Sequence, residues 1–225
     1  MTNPHAIKAV IFDMDGVLID TYDDVVHFWR LFASEYDMTI SDDDFVNLIL
    51  GRPAESTLDT FFPMLDSPAR QRFLERLHEY ETNLTYKPMR GARELLQALH
   101  SAGVPLALVT SAQPWKAQAA MEQVGVWEWF TARITADDIT FGKPNPECYL
   151  LAAQKLGFPP ANCIVFEDSI SGTQAAVKAG MTCIGLGHPA RSQILFAAGA
   201  AAVLPDLTAV TIHSGVLSYH PSPLL

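Results

Sequence analysis

Asp13 and Asp15 stand one residue apart at the end of the apolar run Ala9-Val10-Ile11-Phe12, with Gly16 directly after. Two acids there are costly beside Phe12 and Met14 unless a cation or a shared proton balances them. The pair asks for a metal ion and for proton transfer. Further along, Thr110-Ser111 closes a second apolar run and Glu167-Asp168 closes a third. One lysine, Lys143, sits in Gly142-Lys143-Pro144-Asn145-Pro146, where a glycine and two prolines fix the backbone beside a single cation. A hydroxyl, an ammonium, two acidic pairs and room for a divalent ion form an inventory for phosphoryl transfer.

Each group alone has a plainer reading: Lys143 a solvated surface lysine, Thr110-Ser111 a strand end or helix cap, Glu167-Asp168 an acidic helix start. Their joint occurrence decides. A calcium loop fails because Val17, Leu18 and Ile19 stand where oxygen ligands would be needed. Gly185-Leu186-Gly187-His188-Pro189-Ala190 fits Gly-x-Gly-x-x-Ala, with Asp206 downstream. A dinucleotide site there would come late in the sheet and leave the acidic groups unexplained. The histidines are dispersed, and none reads as a metal ligand.

The elements that must position these groups follow from periodicity. From about Tyr86 onward, strands alternate with helices of ten to fifteen residues, which means parallel crossovers and a doubly wound α/β sheet. Expected strands are Pro105–Thr110, Ala132–Thr135, Cys163–Phe166, Thr182–Leu186 and Ala201–Leu204. Helices are expected at Gly91–Ala102, Pro114–Val124, Pro146–Leu156, Ile170–Ala179 and about Arg191–Ala198, several stopped by glycine. Residues 20–84 break the rhythm. Thr21–Tyr36 carries apolar residues at helical spacing, Ser41 caps an acidic helix start, and further helices follow Pro53 and Pro68. The organisation expected is a core of residues 1–19 and 85–225 with residues 20–84 inserted as a helical cap. The tail from Ser214, with Pro221 and Pro223, reads as loose.

At 225 residues and 49% hydrophobic, the chain can bury a full core. Its net charge of −10 argues against nucleic acid and anionic membrane as partners. It leaves room for an anionic substrate where an ion and a lysine reverse the local sign. The three cysteines are scattered and fit a reducing, cytoplasmic compartment; no stretch has the length of a membrane span. Trp127, Trp129 and Phe130 read as packing residues. The oligomeric expectation is a monomer or a weak homo-oligomer.

With these motifs in order, the chain resembles a haloacid dehalogenase superfamily hydrolase of the type with a helical cap after the first strand. Asp13-Met14-Asp15-Gly16-Val17 matches the first motif, Thr110-Ser111 the second, Lys143 the third, and Glu167-Asp168-Ser169 with Gly172 the fourth. The resemblance implies that Asp13 attacks phosphorus and carries a transient aspartyl-phosphate. It implies Mg²⁺ held by Asp13, Asp168 and the main-chain carbonyl of Asp15, with Glu167 contributing directly or through water. Lys143 and Thr110 would stabilise the phosphoryl oxygens beside Ser111, and Asp15 would move protons. Asp20-Thr21 would form the hinge, and Gly51-Arg52 of the cap would meet the substrate.

Within that resemblance, Asp15 favours phosphate esters over halides, since dehalogenase members lack the second acid. The cap segment Leu50–Glu55 has no lysine of the kind used by phosphonate-cleaving members. The rival is a β-phosphoglucomutase-like enzyme. Such mutases carry a histidine where this chain has Val25 and an arginine where it has Ala54, although Arg52 lies close by. A non-catalytic binding protein on the same fold is the third reading. The expected function is a Mg²⁺-dependent phosphatase of small phosphorylated metabolites, of the sugar or polyol phosphate kind.

Overall fold

An apolar run without a polar face makes a strand covered on both sides. In the computed structural model, which describes residues 8–187, 192–213 and 216–219, that strand is β1, Ala9–Phe12, with every side chain buried. Alternation splits it. Val10 and Phe12 enter the core on one face, Ala9 and Ile11 the core on the other.

Five more strands join it: β2 (Leu106–Val109), β3 (Ala132–Ile134), β4 (Cys163–Glu167), β5 (Thr182–Leu186) and β6 (Ala202–Leu204). The order is β3-β2-β1-β4-β5-β6, all parallel. This is the doubly wound sheet of an α/β protein, with its switch point beside β1, where ligands bind beyond the carboxyl ends of strands.

Helices cover both faces. On one side α5 (Ala92–Ser101) and α6 (Pro114–Val124) pack Leu95, Leu96, Leu99, Ala120 and Met121 against Phe12, Leu108 and Phe166. On the other, α7 (Glu147–Leu156) and α8 (Ile170–Lys178) pack small residues such as Ala152, Ala153, Ala175 and Ala176 against Ile11 and Val165. A short α9 (Ser192–Ala197) lies between β5 and β6 in sequence.

The segment between β1 and β2 holds α1 (Tyr22–Ser34), α2 (Asp42–Asp44) running into a π-helical turn (Phe45–Ile49), α3 (Ala54–Phe61) and α4 (Ser67–Thr82). Ser41 opens α2 with a reciprocal cap, its hydroxyl accepting from Asp44 N–H and its own N–H donating to the Asp44 carboxylate. These helices have a core of their own, in which Phe28, Trp29, Phe32, Phe62 and Phe73 interleave their rings. Chain crosses into and out of this segment at one place. Asp20 N–H donates to the Lys87 carbonyl at 2.9 Å, and Met89 N–H to the Leu18 carbonyl at 2.9 Å.

Helix bounds differ from the expected ones by no more than two residues at each end. The tail is a correction. Val216–Tyr219 is not loose but forms β8, antiparallel to β7 (Val210–His213), because Leu217 and Tyr219 pack against the core beside α5. Pro221 and Pro223 lie outside the described residues, as do His188, Pro189 and Ala190 of the Gly-x-Gly-x-x-Ala run. Asp206, its acidic partner, accepts the Thr208 N–H at 2.9 Å and caps a short helical turn.

Candidate active site

The sheet aims Asp13. Its N–H still donates to the Phe166 carbonyl at 3.0 Å, so the backbone is held as strand while the side chain clears the end of β1. The residue is 5% exposed. Lys143 comes from the loop before α7, its Nζ 2.5 Å from Asp13 Oδ1 and 2.6 Å from Glu167 Oε1. Glu167, the last residue of β4, is fully enclosed. Its Oε1 also accepts from the Tyr149 hydroxyl at 2.9 Å, and its Oε2 from the Ser169 N–H and hydroxyl, each at 2.9 Å.

Electrostatics separates the two acids. Burial would raise the Glu167 pKa, but Lys143 and the donors from Ser169 hold it below the ordinary carboxylate value. For Asp13 burial prevails, and Glu167 and Asp168 add to it against Lys143, so its pKa stands well above the ordinary value. Burial would lower the Lys143 pKa, yet Asp13 and Glu167 reverse that and keep it charged.

Carboxylate oxygens of Asp13, Glu167 and Asp168 gather within 4.8 Å of one another. One ammonium faces three acids, so with all three ionised two negative charges would be in excess, a donor set that suits a hard divalent cation. The Asp15 side chain is not in that cluster. Its Oδ1 accepts from the Thr21 hydroxyl at 2.9 Å and from Lys116 Nζ at 3.1 Å. Any share of Asp15 in holding a cation therefore falls to its main-chain carbonyl.

Two glycines make the crowding possible. A Cβ on Gly16, whose φ is +77°, would come within 2.3 Å of Asp168 Oδ2. A Cβ on Gly172 would lie 1.6 Å from Glu167 Oε1. The fourth motif's glycine is thus the space that the Glu167 carboxylate fills.

Asp13, Asp15, Thr110, Ser111 and Asp168 open onto a cavity of about 300 Å³, roofed by α1, α4 and the loop before α3. Gly51 and Arg52 come from that loop. The Ser111 hydroxyl donates to the Gly51 carbonyl at 3.1 Å and Ser171 to the Leu50 carbonyl at 3.3 Å, so Gly51 docks the loop on the sheet side. Arg52 lines the cavity, and its buried Nε has no hydrogen-bond partner. Thr110 is 3% exposed, and its Oγ1 accepts the Ala112 N–H at 3.0 Å.

Residues 10–186 match the haloacid dehalogenase-like hydrolase family. The chain belongs to it. This hydrolase is 33% identical over 204 residues to a phosphorylated carbohydrates phosphatase of Thermotoga maritima, covering 88% of this chain and 94% of that one. It is 34% identical over 189 residues to hexitol phosphatase A of Escherichia coli, covering 81% and 84%. A solved β-phosphoglucomutase of Clostridium difficile superposes with a TM-score of 0.76 at 24% identity, covering 89% of this chain and 92% of that one, a likeness of fold alone.

Three residues at this hydrolase's site escape the motif reading: Tyr149, Lys116 and Glu81. Tyr149 looks like an apolar-face residue of α7, and its bond to Glu167 spans 18 positions. Lys116 carries a legible signal. It falls on the face of α6 that buries Ala117, Ala120, Met121 and Val124, where a charge needs a reason.

Proposed function

We propose that this phosphoric monoester hydrolase removes phosphate from small sugar or polyol phosphates, working in the cytoplasm with Mg²⁺. The observation that carries the reading is the convergence of Asp13, Lys143, Glu167 and Asp168 at adjacent strand ends on a cavity that Asp15 also lines. The names of the two phosphatase relatives supply the substrate class. The three buried, unpaired cysteines go with the compartment.

Mg²⁺ would be held by Asp13, Asp168 and the Asp15 main chain, and when bound it supplies the positive charge that the acidic cluster lacks. Asp13 attacks phosphorus and forms an acyl phosphate as the alcohol departs. Asp15 gives the departing oxygen its proton, then takes one from the water that cleaves the acyl phosphate and frees inorganic phosphate. Lys143 and Thr110 face the charge on the phosphoryl oxygens. Glu167, saturated by its donors, serves mainly to hold Lys143 in place.

A mutase would need a second phosphate grip. Among the described residues lining the cavity, the lysine and arginine side chains are Arg52 and Lys116, and Lys116 is bound to Asp15 and Glu81. Asp24 and Glu55 line the same space, a setting that disfavours a second dianion.

The test is a panel of hexose, hexitol and glycerol phosphates with MgCl₂, read as phosphate release and as isomer exchange. Release from a sugar or polyol phosphate is expected, and Asp13→Asn should lower kcat on the order of a thousandfold or more. Interconversion of glucose phosphates without phosphate release, or no turnover of any monoester, overturns the proposal.

A further inference from the structure

Lys116 is a buried lysine that the phosphoryl chemistry above does not use. It is the third residue of α6, with 8% of its side chain exposed. Nζ lies 3.1 Å from Asp15 Oδ1 and 2.9 Å from Glu81 Oε1. Burying an ammonium is costly unless carboxylates surround it, so the position is built around these two partners.

The partners come from different parts of the chain. Asp15 is on the loop that leaves β1. Glu81 is in the last turn of α4, the helix that brings the inserted segment back to the sheet. The Tyr86 hydroxyl donates to the Glu81 carbonyl at 3.0 Å and steadies that turn. Lys116 and Thr21 both donate to the same oxygen of Asp15, a two-point hold on a carboxyl that also lines the cavity.

We propose that Lys116, anchored by Glu81, is the positioning residue that sets the Asp15 carboxyl for proton transfer and ties that setting to the place of α4. The inference rests on the role given to Asp15 above. With Glu81 on its other side, the ammonium is kept from swinging toward the phosphoryl group, where Lys143 already stands. A misplaced Asp15 would fail wherever a proton must move and succeed wherever none is needed.

That difference gives the test. Nitrophenolate leaves without a proton, whereas the alkoxide of glycerol phosphate needs one. With Mg²⁺-loaded enzyme in excess over substrate, nitrophenol appearance reports the first half-reaction and phosphate release the second. For Lys116→Met, nitrophenol appearance should stay within about threefold of wild type. Phosphate release should slow by about 10–100-fold, and glycerol phosphate should be slowed already in its first half. KM should move less than about twofold, because the ammonium is held by Asp15 and Glu81 rather than directed at substrate. Lys116→Arg should recover part of the loss, and Glu81→Gln should repeat the pattern more weakly.

A raised KM at unchanged kcat would mean a direct substrate contact and overturn the proposal. Equal losses in both half-reactions and both substrates, with a lowered melting temperature, would mean a structural role and overturn it too. Wild-type rates in every variant would do the same. If Lys116→Met does not fold, Glu81→Gln and Lys116→Arg carry the comparison. Wild-type enzyme that cleaves neither ester overturns the phosphatase reading itself; active wild type with unaffected variants overturns only this inference.

Discussion

Glu167 is the most crowded side chain of the site, with Lys143, Tyr149 and Ser169 on its oxygens and Gly172 against it. A methyl at Gly172 has no soft neighbour to push, since the carboxylate it meets is pinned on both oxygens. Gly172→Ala should therefore shift Glu167, loosen Lys143, and lower kcat by about 100-fold with a lower melting temperature. Steady-state kinetics and a thermal melt of the same preparation check both effects. The acids, Lys143 and Thr110 were legible in the sequence because each stands at the end of an apolar run or in a proline-braced loop. Glu81 was not, because a glutamate on a helix looks solvated, and Lys116 shows itself only when the face of α6 is projected. Their partnership spans 35 positions, beyond any local pattern.

At the scale of elements, the loop from Ile49 to Arg52 decides how the inserted helices meet the sheet. Gly51 has φ +75°, and a Cβ there would come within 2.2 Å of Ser169 Oγ. Gly51→Ala should hold the loop off Ser111 and Ser171 and open the cavity to water. The expected result is kcat/KM lower by about tenfold for sugar phosphates, with a melting temperature little changed, since the aromatic core of α1–α4 is untouched. Comparing kinetics and melting for wild type and variant tells a docking defect from a folding one. The alternation of helix and strand was legible because β1 to β6 are short apolar runs separated by glycine-stopped helices. β8 was missed because Ser214-Gly215 before it and Pro221 and Pro223 after it mask the short run Val216–Tyr219, and its partner is secured by packing against α5.

Charge and burial act on the whole molecule together. A chain of net charge −10 that also buries an acidic cluster should gain stability from a divalent ion bound only when folded. At a Mg²⁺ concentration about 100 times Kd, the gain is about 2.7 kcal/mol. A chelator should lower the melting temperature by a matching amount, and NaCl of equal ionic strength should not replace MgCl₂. The thiols report on the same global unit. Burial pushes Cys148 to a pKa of about 11 and Cys183 to about 12. At pH 8 neither should react with a disulfide reagent until the sheet opens, and a spectrophotometric thiol assay in rising urea should follow the unfolding curve.

The two crossings between sheet and inserted helices are paired with each other through Leu18–Asp20 and Lys87–Met89, forming one ribbon rather than two separate tethers. A two-stranded ribbon bends across its flat face and resists sliding of one edge past the other. If the helical segment moves as a unit, the expected motion is one swing about a single hinge line at these pairs. A phosphate ester entering past that hinge would then meet a mouth that widens along one axis. Selectivity would then turn on the profile a molecule presents to a slot, more than on its bulk.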